Sequence, residues 1–123
     1  MKALICSDLH LEFGPFEPDA SGCDLVILAG DIHVGLRGVE WTSRLASQVP
    51  VIHVLGNHEY YVQTYPKLLD KLREAYRGKD IHLLENERVV LDGVAFHGCT
   101  LWTDFRLLGN AQVHQGLIEI EPL

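Results

Sequence analysis

Asp24-Leu25-Val26-Ile27-Leu28-Ala29-Gly30-Asp31 is an apolar run that begins after an acid and stops at a glycine and a second acid. Apolar residues in unbroken succession suit a strand buried on both faces, in a sheet covered by further layers. Two other stretches follow the same plan. Lys2 to Ser7 reads as a short buried strand leading into Asp8-Leu9-His10, and Val51 to Leu55 reads as another leading into Gly56-Asn57-His58-Glu59. Between and beyond them the period changes. Trp41, Leu45 and Val49 recur every fourth residue, which predicts a helix from Val39 to Gln48 that Pro50 stops. Tyr65, Leu68, Leu69, Leu72 and Tyr76 form a stripe that predicts a helix from Tyr65 to Arg77, capped by Thr64 and closed by Gly78. Ile81 to Leu84 reads as a strand. Arg88 to Leu91 and Val94 to Gly98 read as a hairpin turning at Asp92-Gly93. Strands alternating with helices argue for a layered α/β architecture.

With 123 residues the chain suits one domain. Ten Lys and Arg against seventeen Asp and Glu give a net charge of −7, which argues against general nucleic-acid or anionic-membrane binding. A phosphate substrate stays compatible with that charge, because a bound metal inverts the local sign. No apolar run approaches the roughly 18 residues that span a bilayer, and the opening Met1-Lys2-Ala3-Leu4 lacks the pattern of a signal peptide. Cys6, Cys23 and Cys99 have no CxxC spacing and read as structural thiols of a reducing compartment, so a cytoplasmic location is expected. Seven histidines in so short a chain, beside many aspartates, point toward a metal site.

The polar residues gather at three strand ends. In a parallel sheet those ends lie along one edge, where ligands bind. Asp8 and His10, two apart, share a side if the backbone is extended, and can grip one ion. Asp31 follows a glycine that lets the chain turn, which would expose both carboxylate oxygens to bridge two cations. Asn57 adds a neutral carbonyl oxygen. Nitrogen and oxygen donors without thiolate suit manganese, iron, zinc or cobalt. Two such ions roughly 4 Å apart would clamp a phosphate and supply a hydroxide nucleophile. His58 is then a candidate to protonate the leaving group. Each of these residues alone also suits a turn or cap. It is their presence at three strand ends together that points to a metal site.

Asp8-Leu9-His10, Gly30-Asp31 and Gly56-Asn57-His58-Glu59 resemble, in order, the first three motifs of the calcineurin-like metallophosphoesterases: D-x-H, G-D and G-N-H-E. Gly98-Cys99-Thr100-Leu101-Trp102-Thr103-Asp104-Phe105 is similar to the matching segment of small bacterial members. The resemblance covers residues 1–108 and implies the N-terminal part of a two-sheet β-sandwich flanked by helices. It implies hydrolysis of phosphomonoesters or phosphodiesters by a metal-bound water, with two divalent ions in a complete member. Asp8 and His10 would bind the first metal, Asp31 would bridge both, Asn57 would bind the second metal and the substrate phosphate, and His58 would be the catalytic histidine.

The family's later histidine motifs, including G-H-x-H, do not occur in the sequence, and residues 109–123 resemble nothing in the family. The expectation is therefore a truncated domain. Its first metal keeps Asp8, His10 and Asp31, and its second keeps only Asp31 and Asn57, so one ion is the natural occupancy. The alternative function is a non-catalytic remnant that binds metal weakly or acts by association. Self-association through apolar surface left uncovered is expected in either case. His33 is expected to support the metal ligands by hydrogen bonding, and Glu59 to support its loop. His53, His82 and His97 read as structural, and Trp102 and Asp104 as packing and turn residues. His114 is the one late histidine in a position to mimic a missing ligand. Some family members carry an acid three positions after the bridging aspartate to orient the catalytic histidine; Val34 stands there in this chain.

Overall fold

The computed structural model describes residues 1–102 and 106. Asp104, His114 and the segment 109–123 lie outside the described residues. The elements run β1 (Ala3–Cys6), β2 (Leu25–Ala29), α1 (Val39–Ala46), β3 (Val51–Val54), a short 3-10 turn (His58–Tyr60), α2 (Lys67–Tyr76), β4 (Ile81–Leu83), β5 (Glu87–Leu91) and β6 (Val94–Gly98). This is an α/β fold with two sheets. β1, β2, β3 and β4 form a parallel sheet in that order, and β5 pairs antiparallel with β6.

The parallel register explains how distant motifs meet. Cys6 pairs with Leu28, Leu28 with His53, and His53 with Leu83, so the carboxyl ends of the strands fall in one row. The loops after β1, β2 and β3 therefore leave from the same edge.

Alternation along each strand splits the apolar residues between two faces. Val26, Leu28, Val51, Ile81 and Leu83 meet Trp41, Leu45 and Val49 from the α1 region and Leu68, Leu69, Leu72 and Tyr76 from α2. Leu25, Ile52 and Leu84, with Ile27 and Val54, meet Val89, Leu91 and Phe96 of the hairpin. Helices thus cover one side of the parallel sheet, and the second sheet stacks on the other. Ile5 on edge strand β1 stays 66% exposed. The hairpin turns at Asp92 (φ 48°) and Gly93 (φ 75°), the pair of positive angles that a two-residue turn between twisted strands requires.

Local departures from expectation have local causes. α2 starts at Lys67, not Tyr65, and Thr64 does not cap it; Pro66 stands at the N-cap with no side-chain hydrogen bond. A residue before proline is biased away from helical angles, so Tyr65 leaves the stripe and is exposed. No helix among the described residues is long and apolar enough to cross a membrane. The three cysteines are free; Cys6 is buried, and burial pushes its thiol up, away from thiolate chemistry.

Candidate metal centre

The three loops are zipped together by their backbones. Asp8 N–H donates to the Gly30 carbonyl at 3.0 Å, His10 N–H to that of Asp31 at 3.0 Å, and Leu11 N–H to that of Ile32 at 2.9 Å. Two glycines allow the approach. Gly30 has φ +94°, and a Cβ on it would stand 3.0 Å from the Gly56 nitrogen. A Cβ on Gly56 would collide with the Asp31 carboxylate.

Glu59 fastens the loops from below. Its carboxylate accepts backbone N–H groups from Asp31 (3.0 Å), Ile32 (2.8 Å) and Gly56 (2.9 Å), and so joins the loop after β2 to the loop after β3. Glu59 is 1% exposed, and His53 Nε2 lies 3.7 Å from its Oε1. Burial pushes this carboxyl up, but the His53 contact and the Ile32 N–H outweigh it and hold it below the usual carboxylate range.

On this frame His10 Nε2 lies 3.8 Å from Asp8 Oδ1 and 3.9 Å from Asp31 Oδ2. Two donors each ~2.1 Å from one ion stand between about 3.0 Å apart at a right angle and about 4.2 Å when opposed. Both spacings fall inside that window, and the three ligand atoms lie within 4.8 Å of one another, so Asp8, His10 and Asp31 can hold a divalent cation. The backbone reaches this arrangement differently from the extended geometry expected. Asp8 (φ 55°), His10 (φ 46°) and Asp31 (φ 55°) are all left-handed. Asp31 also departs from expectation, because its side chain is only 14% exposed and its Oδ1 already accepts the His58 N–H at 2.9 Å. Packing against Gly56 encloses the carboxylate that the preceding glycine was expected to expose. Asp8 is open to solvent and accepts the Ser7 hydroxyl.

Asn57 donates from Nδ2 to the Tyr61 hydroxyl at 3.4 Å. Together with Asp8 and Asp31 it lines a cleft of ≈ 510 Å³ between the sheet edge and the hairpin. His97 lines the same cleft, nearer the motif loops than its place in a late strand implied. His33 turns to its own loop, where Nδ1 accepts the Val34 N–H at 2.8 Å; it lines a small void with His53 and Glu59. His53 is buried, with Nδ1 3.1 Å from the Tyr76 hydroxyl, and His82 pairs with Asp80 at 3.4 Å.

Glu12 is the residue that sequence reasoning missed. Its Oε1 lies 2.8 Å from His58 Nδ1 and 3.2 Å from His10 Nδ1, and the two imidazole nitrogens are 3.2 Å apart. Burial pushes the Glu12 carboxyl up, and the hydrogen bond from His58, aided by His10, brings it below the usual range. The Glu12 hydrogen bond in turn raises His10 above the ordinary imidazole range, against some desolvation. The available signal was the continuation of Asp8-x-His10 by one more alternate position, Asp8-x-His10-x-Glu12.

A family model described as calcineurin-like phosphoesterase matches residues 1–110 of the chain. No curated protein matches it.

Proposed function

The chain belongs to the calcineurin-like phosphoesterase family, and from that membership we propose that it is a hydrolase of phosphomonoesters or phosphodiesters that uses a divalent ion of the manganese, iron or zinc class. The observation that carries this reading is the facing of His10 Nε2 with the Asp8 and Asp31 carboxylates at one edge of the parallel sheet. A divalent cation held there supplies Lewis acidity toward a phosphate oxygen and an acidified water. Asp8, His10 and Asp31 hold it. Asp31 and Asn57 would serve a second ion, and Asn57 would also meet the substrate phosphate. His58 serves the leaving-group oxygen by giving it a proton. Glu59 keeps the Asp31 and Asn57 loops in register, and His33 supports its own loop through the Val34 N–H.

The expected partner is a phosphate-ester substrate, and the acidic net charge disfavours polyanions as general ligands. The free cysteines fit a cytoplasmic setting. A second reading, metal binding without turnover, draws on one observation: Asp31 and Asn57 alone are few donors for a second ion.

The test is a Mn²⁺ titration of the purified chain with an aryl phosphate and an aryl phosphodiester. Metal-dependent hydrolysis that disappears in Asp31→Ala supports the enzyme. Turnover no greater than that of Asp31→Ala in both assays sinks it and leaves the binding reading.

A further inference from the structure

We propose that Glu12 is the positioning carboxylate of this site, a single oxygen that accepts the Nδ1–H of both His10 and His58 and thereby leaves both Nε2 atoms free for chemistry. The proposal rests on the functional reading above and assigns to Glu12 a role that nothing at position 34 can fill, because Val34 has no acceptor side chain.

Glu12 Oε1 is 2.8 Å from His58 Nδ1 and 3.2 Å from His10 Nδ1, both within hydrogen-bonding reach of one carboxylate oxygen with two lone pairs. In a neutral imidazole, the hydrogen bond made by one nitrogen decides which nitrogen carries the proton. A carboxylate can only accept, so it holds the proton on Nδ1. A histidine side chain free in water favours the opposite tautomer, with the proton on Nε2. Glu12 therefore favours, in both rings, the tautomer that is the minor one in water; the 3.2 Å approach of the two Nδ1 atoms offers the rival arrangement, in which one ring donates to the other and only one is Nδ1–H toward Glu12.

The two consequences differ. For His10, the nitrogen left with a lone pair is Nε2, the atom facing Asp8 and Asp31. This is the carboxylate–histidine arrangement that fixes ring orientation and raises ligand basicity. For His58, the nitrogen left open is also Nε2. When the His58 ring has taken up a second proton at Nε2, that proton passes to the leaving-group oxygen as a water oxygen bonds to phosphorus and the ester P–O bond breaks. The neutral ring that remains keeps its Nδ1–H on Glu12. The Glu12 side chain is 11% exposed, so water competes weakly for this acceptor. One partly buried carboxylate thus orders a metal ligand and a proton donor together.

Glu12, His10 and His58 also offer three donor atoms close enough to seat a cation among them. A cation there would occupy both Nδ1 atoms and exclude the tautomers proposed, which makes it a competing outcome of the same experiment.

The experiment is long-range ¹H–¹⁵N NMR of the imidazole rings in the ¹⁵N-labelled full chain without metal, at alkaline pH. The expected result is a protonated Nδ1 and an unprotonated Nε2 for both His10 and His58. In Glu12→Ala, both rings should shift to a majority with the proton on Nε2. Titration with Zn²⁺ should then move the Nε2 resonance of wild-type His10. An Nε2–H tautomer for either ring in the wild type overturns the proposal, as does an unchanged tautomer in Glu12→Ala. Loss of both Nδ1–H signals on adding Zn²⁺ also overturns it, by placing the cation on the Glu12 side. If Glu12→Ala does not fold, the wild-type spectrum decides alone. No turnover is measured, so the tautomers decide the role of Glu12 even in a chain that hydrolyses nothing.

Discussion

Asp31 Oδ1 accepts the backbone N–H of His58 at 2.9 Å. The carboxylate that opens the loop after β2 is thereby tied to the loop after β3. Any change that separates these loops should disturb the cation ligands and His58 at once.

Gly56→Ala tests that coupling most locally. The added Cβ would meet the Asp31 carboxylate and stand 2.8 Å from the Asp31 nitrogen, and both neighbours are held by other hydrogen bonds. Overpacking of this kind costs about 1–3 kcal/mol. We expect a lower urea midpoint together with weaker Mn²⁺ binding. An unchanged midpoint would show that the loops yield freely.

Glu59→Ala should be damaging although Glu59 is not among the candidate cation ligands. It removes the acceptor of three backbone N–H groups and leaves them in a buried setting. The expected loss is about 3 kcal/mol, read from chemical denaturation. Glu59→Gln keeps one acceptor oxygen and should fall between the alanine variant and wild type.

The same carboxylate gives the stability a pH dependence of definite sign. Glu59 and Glu12 lie below the usual carboxylate range when folded. The unfolded chain, with ordinary carboxyls near ~4.3, binds those protons more readily. Their contribution is therefore complete above that value and is lost as the pH falls through the folded values. His10 lies above its ordinary range when folded, so its contribution is present below about 6.5 and fades as the pH rises through the folded value. Urea midpoints measured from about pH 6 down to about pH 3 should fall, and Glu59→Gln should flatten that fall.

Tyr76→Phe separates the buried support from the cation ligands. Burial pushes the Tyr76 hydroxyl up to about 12, so it stays protonated and keeps its 3.1 Å contact with His53 Nδ1. Without it His53 loses that partner in the core, at a cost of about 1–2 kcal/mol. Mn²⁺ affinity should change less than twofold, because Tyr76 touches none of Asp8, His10 or Asp31.

The architecture is legible in the sequence wherever period alone decides it. The run Leu25 to Ala29, the α1 stripe of Trp41 and Leu45, and the Asp92-Gly93 turn each carry a signal that tertiary contacts reinforce. The start of α2 is not, because Tyr65 fits the helical stripe while the proline after it disfavours helical angles there. Within the candidate site the motifs reveal which residues come together but not how. Left-handed backbone at Asp8, His10 and Asp31 cannot be read from alternation, and the burial of Asp31 depends on Gly56 from another loop. Glu12 is hidden in the sequence because its importance lies in distances to His10 and His58, and the second of these is a contact 46 residues away in sequence.

Mn²⁺ binding followed by electron paramagnetic resonance decides whether the three strand-end loops form one divalent-cation site. Saturable binding is expected for the wild-type chain, with at least a tenfold loss of affinity in Asp31→Ala and wild-type binding in Tyr76→Phe. Equal Mn²⁺ affinity in wild type and Asp31→Ala would contradict it.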